Sequence, residues 1–377
     1  MPEIMITPRD PVIARDGRPF GAGQRMKSLD WIYPSVLAGS LRTMLGKQCA
    51  YTFNEQEIET LKKIEFTGPL PFTKEKLYFP KPLDCVVKKN DNDENNGTVY
   101  SARPQPLKEN EGCNLPGGLQ PVFLPDEAGG DFKPKKTAPF WSSEKLLHWL
   151  AQEQENGKEF NDDDTLQTLP QEERVHVKIE PATGASEPKM LFSTTGLDFS
   201  NVQIAVKINV PDELIAAAEK LNAFHPLGGE RRLVHWKSAG ENNTQTVFPA
   251  VPSFADTKRL RMVLATPAIF AYDRHGWLPD WLDAETFSGT LPNGDVKVKL
   301  AGAVIDRWLP LSGWSYAKVQ RRGPKDVRRL VPAGSVYFFE IQSGTLQDAV
   351  NANWLKNICG GPQNNRDGFG LALWGIW

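Results

Sequence analysis

An apolar run, Leu371-Ala372-Leu373-Trp374-Gly375-Ile376-Trp377, follows directly on a polar loop that carries Gly368 and Gly370. Left in water, such a run exposes more apolar surface than a folded chain tolerates, so it must be buried. Its length and flanking glycines fit a strand better than a helix. The loop glycines let the main chain approach something closely, either packed protein or a ligand. A core strand behind an ordinary turn and a ligand-holding glycine loop explain the motif equally well. The function has to come from what accompanies it.

The clearest periodicity lies in the second half. Val202, Ile204, Val206, Ile208 and Val210 alternate with Gln203, Ala205, Lys207 and Asn209, the pattern of a half-buried strand. Pro211 then opens a helix with Leu214, Ile215, Ala218 and Leu221 on one face. Strand candidates follow at 231–236, 259–265, 296–305 and 335–341, with a second helix over 346–355 before the closing strand. This reduces to β-α-β-β-α-β with extra hairpins, the ferredoxin-like and RRM-like arrangement. The first half hints at the same plan: a strand over 3–13, a helix from Pro34 carrying Val36, Leu37, Leu41 and Leu45, and a helix over 142–151. The predicted fold is therefore α+β, with two ferredoxin-like domains, 1–196 and 197–377. Two segments read as loop insertions, about 80–140, rich in Pro, Gly and Asn, and about 153–173, rich in acid.

At 377 residues the chain is long enough for two cores. Its 40% hydrophobic and 24% charged composition is that of a soluble globular protein. No apolar run reaches the ~18 residues of a membrane span, and the first residues read as a strand rather than a signal peptide. Cys49, Cys85, Cys113 and Cys359 form no CxxC pair, which predicts neither zinc site nor disulfide framework and fits a reducing cytoplasm. The net charge of −2 hides segregation. Acid gathers over 153–173, and base gathers at Lys318, Arg321, Arg322, Lys325, Arg328 and Arg329.

Catalytic spacing is missing. His148, His176, His225, His235 and His275 show neither HxxxH nor HExxH, and GxSxG, GxGxxG and the P-loop pattern do not occur. No catalytic residue, metal or cofactor is expected. The vocabulary is one of binding instead. The basic segment 318–329 follows Trp308, Trp314 and Tyr316, and Gly228-Gly229-Glu230-Arg231-Arg232 precedes His235, Trp236 and Lys237. Cations for phosphate beside flat faces for unstacked bases is what single-stranded RNA requires. Arg42 lies off the apolar stripe of its helix and is expected to project outward.

Several segments together resemble the family of the third subunit of the Cmr complex, a type III-B CRISPR machine, within the RAMP superfamily. They are Pro8-Arg9-Asp10-Pro11 with Asp16 to Phe20, Pro34 to Arg42, Tyr78 to Asp84, Ile179 to Gly184 with Leu191 to Phe199, Leu227 to Arg232, Val331 to Tyr337, and Asp367 to Gly375. The resemblance implies a non-catalytic RNA-binding subunit that holds the 5′ tag of the crRNA. It also implies partners: the large polymerase-like signalling subunit and the backbone RAMP subunits, with no membrane and no small-molecule substrate. Under this reading Gly368 and Gly370 offer backbone N–H groups to phosphate with Arg366 adding charge, and Arg42 supplies a further contact. Ser193 and Thr194 reach 2′-hydroxyls or base edges, while Arg231, Arg232, Arg321 and Arg322 form the basic set. The hairpin of 175–199 departs from the family at its expected tip, Ser186 to Lys189. Trp277, Leu278 and Trp281 suit either a protein partner or internal packing. The rival readings are a RAMP-type endoribonuclease that processes precursor crRNA through His176 or His235, and a Trp-rich binder of planar small ligands.

Overall fold

The computed structural model describes residues 1–18, 26, 28–90, 93–151, 156–239, 246–270, 276–315 and 323–377. The architecture is mixed α/β, mostly sheet with few helices. Two compact units interleave along the chain. One comprises Met1–Thr73, Thr168–Thr244 and Leu309–Leu330, the other Lys74–Gln167, Gln245–Trp308 and Val331–Trp377. The expected border at 196/197 does not coincide with this division. The strand Gln203–Asn209, expected to begin the second domain, pairs with Glu3–Pro8, so that Ile4 faces Val206 and Ile6 faces Ile204.

The first unit contains β1 (Glu3–Pro8), β2 (Glu65–Thr73), β3 (Gln171–Ile179), β4 (Ser186–Leu197), β5 (Gln203–Asn209), β6 (Asn222–Pro226) and β7 (Leu233–Ser238). Its sheet runs in the order β2-β5-β1-β7-β6, antiparallel throughout. Alternation along β1 and β5 buries Ile4, Ile6, Ile204, Val206 and Ile208 on one face. Leu37, Leu41 and Leu45 of α1 (Pro34–Gln48), which packs against the β2 edge of the sheet, are buried as well. Pro34 starts that helix at a position where a missing N–H is harmless. The following α2 (Glu55–Lys62) begins with a capping box between Asn54 and Glu57. Among the described residues, β3 and β4 pair only with each other beyond the base, as a two-stranded ribbon. The ribbon turns at 180–185, where Glu180 N–H donates to Ala185 O. Ser186 to Lys189, expected at the tip, instead lie on the returning strand.

The second unit contains α3 (Ser143–Ala151), β8 (Arg259–Leu264), β9 (Lys297–Val304), β10 (Val336–Ser343), α4 (Leu346–Asn353) and β11 (Leu371–Ile376). The main sheet runs β9-β10-β8-β11, flanked by Ser288–Thr290 and Lys356–Asn357. β11 is buried along its whole length because both faces of the sheet are covered. Trp374 donates from Nε1 to Asn353 O of α4 at 3.0 Å on one face. On the other, Gly375 lies against Leu150 of α3. A strand covered on both sides needs no alternation, hence the unbroken apolar run. The segment expected to be loop over 80–140 is partly sheet: Cys85–Asn90 pairs with Asp93–Ser101. Cys85, Val87 and Val99 point inward there, with Trp141, Trp149 and Phe160. Among the described residues, no helix is long and apolar enough to cross a membrane.

One charged pair stands inside this unit. Arg261, on β8, is 1% exposed and its Nη1 lies 2.6 Å from Oδ2 of Asp84, which is fully buried. Trp149 Nε1 donates to the other Asp84 oxygen at 3.1 Å, and Arg261 Nη2 donates to Trp149 O. Removing one partner strands a buried charge. Asp84→Ala should therefore lower stability by about 3–5 kcal/mol, read from denaturant unfolding. Replacing both groups, Asp84→Leu with Arg261→Met, should recover much of that loss. A single-variant loss below ~1 kcal/mol would show that the pair contributes no more than a surface bridge.

Candidate nucleic-acid interface

In the first unit the turn between β6 and β7 is wedged against the segment after β1. A Cβ on Gly228 would stand 2.4 Å from Ile13 O, and its φ is +74°. Gly229 N–H donates to that same oxygen at 2.7 Å. Only glycine allows this approach, so the pair fixes the turn and throws the next residues outward. Arg231 is exposed, and among the described residues it has no acidic partner. Arg232 is held back: its Nη2 lies 2.8 Å from Glu230 Oε2, and its Nε is buried without a hydrogen bond among the described residues.

The ribbon of β3 and β4 brings its inner face to this turn. His176 Nε2 lies 2.9 Å from Thr194 Oγ1 and 4.0 Å from Glu230 Oε1. The imidazole stacks on Phe192 with centroids 5.2 Å apart and planes at 12°. Thr194 and Arg232 are thus assembled around His176 and Glu230. Ser193 is not part of that group. It sits opposite Val175 on the other face of the ribbon, so adjacent hydroxyls expected to act together point in opposite directions.

Arg42 does not project outward. Its Nη2 donates to Ile64 O at 2.8 Å, and the guanidinium lies 5.3 Å from the Phe66 ring centroid. It fastens α1 to the chain leaving α2, which the position off the apolar stripe could not reveal. Ser40, two residues earlier on α1, donates to Pro226 O at 2.6 Å and approaches His225 Nδ1 at 3.2 Å. Burial, then the nearby Lys47 charge, lowers the His225 pKa.

The glycine loop in the second unit also departs from expectation. Gly368 N–H donates to Asn365 O at 3.0 Å, and Gly370 N–H to Pro267 O at 2.8 Å. Both amides are engaged, so neither is available to phosphate. Gly368 O accepts from Thr266 Oγ1 at 2.7 Å, and the same hydroxyl accepts from Leu371 N–H at 2.9 Å. Asn365 locks the preceding short helix, Pro362–Arg366, by exchanging two side-chain bonds with the Cys359 backbone at 2.7 and 2.9 Å. The glycines are required by the turn itself. Arg366 ends the short helix and is partly exposed.

Arg321 and Arg322 lie outside the described residues. The arms that carry them, Leu309–Leu311 and Arg328–Leu330, pair with each other in the first unit. Gly17 N–H donates to Pro310 O at 3.2 Å and ties the arms to the loop after β1. Trp281, which sequence left open, packs on Phe339 at 5.5 Å between centroids. What sequence reasoning missed is Glu230 as the partner of Arg232, Phe192 beneath His176, and β6 as a strand. The glycine pair between two short apolar runs was the available hairpin signal for β6.

A family model described as CRISPR-associated protein (Cas_Cmr3) matches residues 4–377. Among solved structures, type III-B Cmr-beta bound to cognate target RNA and AMPPnP superposes with a TM-score of 0.49 at 15% identity, covering 89% of this chain and 86% of that one. Cmr-beta bound to cognate target RNA gives 0.48 at 14%, with coverage of 89% and 86%. The Csm3–Csm4 subcomplex of the type III-A CRISPR-Cas interference complex gives 0.35 at 13%, with 89% and 92%. No curated protein matches the chain.

The loop geometry sets a stability test. A Cβ on Gly370 would lie 2.6 Å from Cys359 Sγ at a φ of +70°. Gly370→Ala should therefore destabilise the chain by at least about 1–3 kcal/mol, visible as a lowered melting temperature. Arg366→Ala should change stability by less than ~0.5 kcal/mol. A Gly370→Ala protein that melts with the wild type would remove the structural account of this glycine.

Proposed function

The chain belongs to the CRISPR-associated Cas_Cmr3 family, a subunit family of the type III-B Cmr complex, and on that premise we propose that it is a non-catalytic RNA-binding subunit. It holds the 5′ tag of the crRNA and docks the large polymerase-like subunit beside the backbone subunits. In this proposal both units are ferredoxin-like. The orders β2-β5-β1-β7 and β9-β10-β8-β11 support this, since each places the first and third strands of a β-α-β-β-α-β unit at the centre.

The observation that carries the RNA reading is the turn Gly228–Arg232. A glycine pair clamped on Ile13 presents Arg231 to solvent beside a ribbon bearing His176, Thr194 and Phe192. Cation, hydroxyl and flat ring are the groups that grip phosphate, 2′-hydroxyl and base. The other ribbon face leaves Val175 68% and Leu191 60% exposed, apolar surface of the kind a neighbouring subunit covers.

Arg231→Ala in the full chain, purified with its complex, should weaken retention of tag-bearing RNA several-fold. It should also reduce the salt slope of binding by about one, with little change in melting temperature. Unchanged retention and slope would end the role given to this turn. Cleavage of repeat RNA by the purified chain without metal, lost in His176→Ala or His235→Ala, would replace the proposal with the endoribonuclease reading.

A further inference from the structure

The sheet of the first unit has a second face, and it is not a dry one. Opposite the core residues Ile4, Ile6, Ile204, Val234 and Trp236, the alternate positions form a transverse row. Phe224 faces His235, His235 faces Thr7, and Gln203 faces Phe72. Gln203 Nε2 closes the row by donating to Thr7 Oγ1 at 2.7 Å. The row therefore spans five strands, from β6 to β2.

Its β6 end is built as a platform. Phe224 is 52% exposed, although a large aromatic at that position could have been buried or replaced by a polar residue. The His235 ring stacks on it with centroids 4.8 Å apart and planes at 30°. Arg9 places its guanidinium carbon 5.2 Å from the same phenyl centroid. His235 Nε2 lies 2.7 Å from Asn222 Oδ1, which fixes the ring's rotation. Lys237, exposed, follows His235 on the same face of β7, opposite Asn222.

From this arrangement we propose a second nucleotide-contacting site on the open face of the first sheet. It takes an unstacked nucleobase against the Phe224–His235–Arg9 stack, with Arg9 and Lys237 receiving the flanking phosphates. Asn222, opposite Lys237 on the neighbouring strand, brings its amide group to the base edge. The inference rests on the RNA-binding reading, yet it uses none of the residues of the Gly228–Arg232 turn or of the ribbon. A plain cross-strand aromatic pair would stabilise the edge of the sheet but would give no reason for the ring to stay exposed under the Arg9 guanidinium.

The test uses the full chain, a short fluorescein-labelled single-stranded RNA, and AMP as competitor, at low salt. Phe224→Leu keeps apolar bulk and removes the flat face. It should weaken RNA binding about tenfold, the order of one lost base stack, while the melting temperature stays within ~2 °C. Phe224→Tyr should bind within about threefold of wild type. Displacement of the RNA by AMP at similar concentration would assign the site to a mononucleotide, and failure to displace would assign it to a strand; either supports a nucleobase site. Wild-type affinity in Phe224→Leu, with Arg231→Ala still weakened, would overturn this site and leave the RNA-binding reading intact. No RNA binding by the wild-type chain or its complex would overturn both.

Discussion

The buried contact between Arg261 and Asp84 is the constraint on which the second unit depends. Water would solvate each charge generously, so inside the protein they persist only because each answers the other. The indole N–H of Trp149 serves the remaining carboxylate oxygen, and its backbone carbonyl accepts from the guanidinium. Asp84 and Arg261 are 177 positions apart in sequence. The pair therefore fixes where the Lys74–Gln167 segment meets strand β8, and with it the seat of α3 on one face of the sheet. Once α3 is seated, Gly375 must pass Leu150 without a side chain, and the closing strand is sealed on both sides.

That closing strand shows what was legible. Its burial and conformation followed from composition alone, because no solvated structure tolerates Leu-Ala-Leu-Trp. The meaning of the glycines before it was not legible. A turn that packs against Cys359 and a turn that cradles phosphate make the same demand on the sequence, a positive φ without a Cβ. Only the destinations of the two N–H groups separate them, and those destinations, Asn365 O and Pro267 O, are set by tertiary structure.

The same limit explains the domain border and the hidden strands. The alternation over 202–210 identified β5, but periodicity says which face is buried and nothing about the partner. Its partner, β1, lies some 200 residues upstream. The segment 85–101 is rich in Asn, Asp and Lys, so composition suggested loop, while Cys85, Val87 and Val99 kept the inward register of a strand pair. Arg42 failed for a related reason. Position on a helix tells which way a side chain leaves the axis, not that carbonyls of the next helix wait to receive it.

Charge in the first unit is arranged for selectivity rather than raw attraction. Glu230 holds Arg232, Glu172 holds Arg174, and Asp16 holds Arg18 at 2.9 Å. A phosphate approaching these cations must displace a carboxylate already in place, so most of the Coulomb gain of a bare basic patch is cancelled. Exposed Arg231, Arg9 and Lys237 are spared that competition among the described residues. A surface built this way binds polyanions weakly by charge alone and depends on rings, hydroxyls and amides set at fixed spacing. Such a surface favours a strand that arrives in one conformation over any strand that is merely negative, which is what the proposed guide-holding role requires.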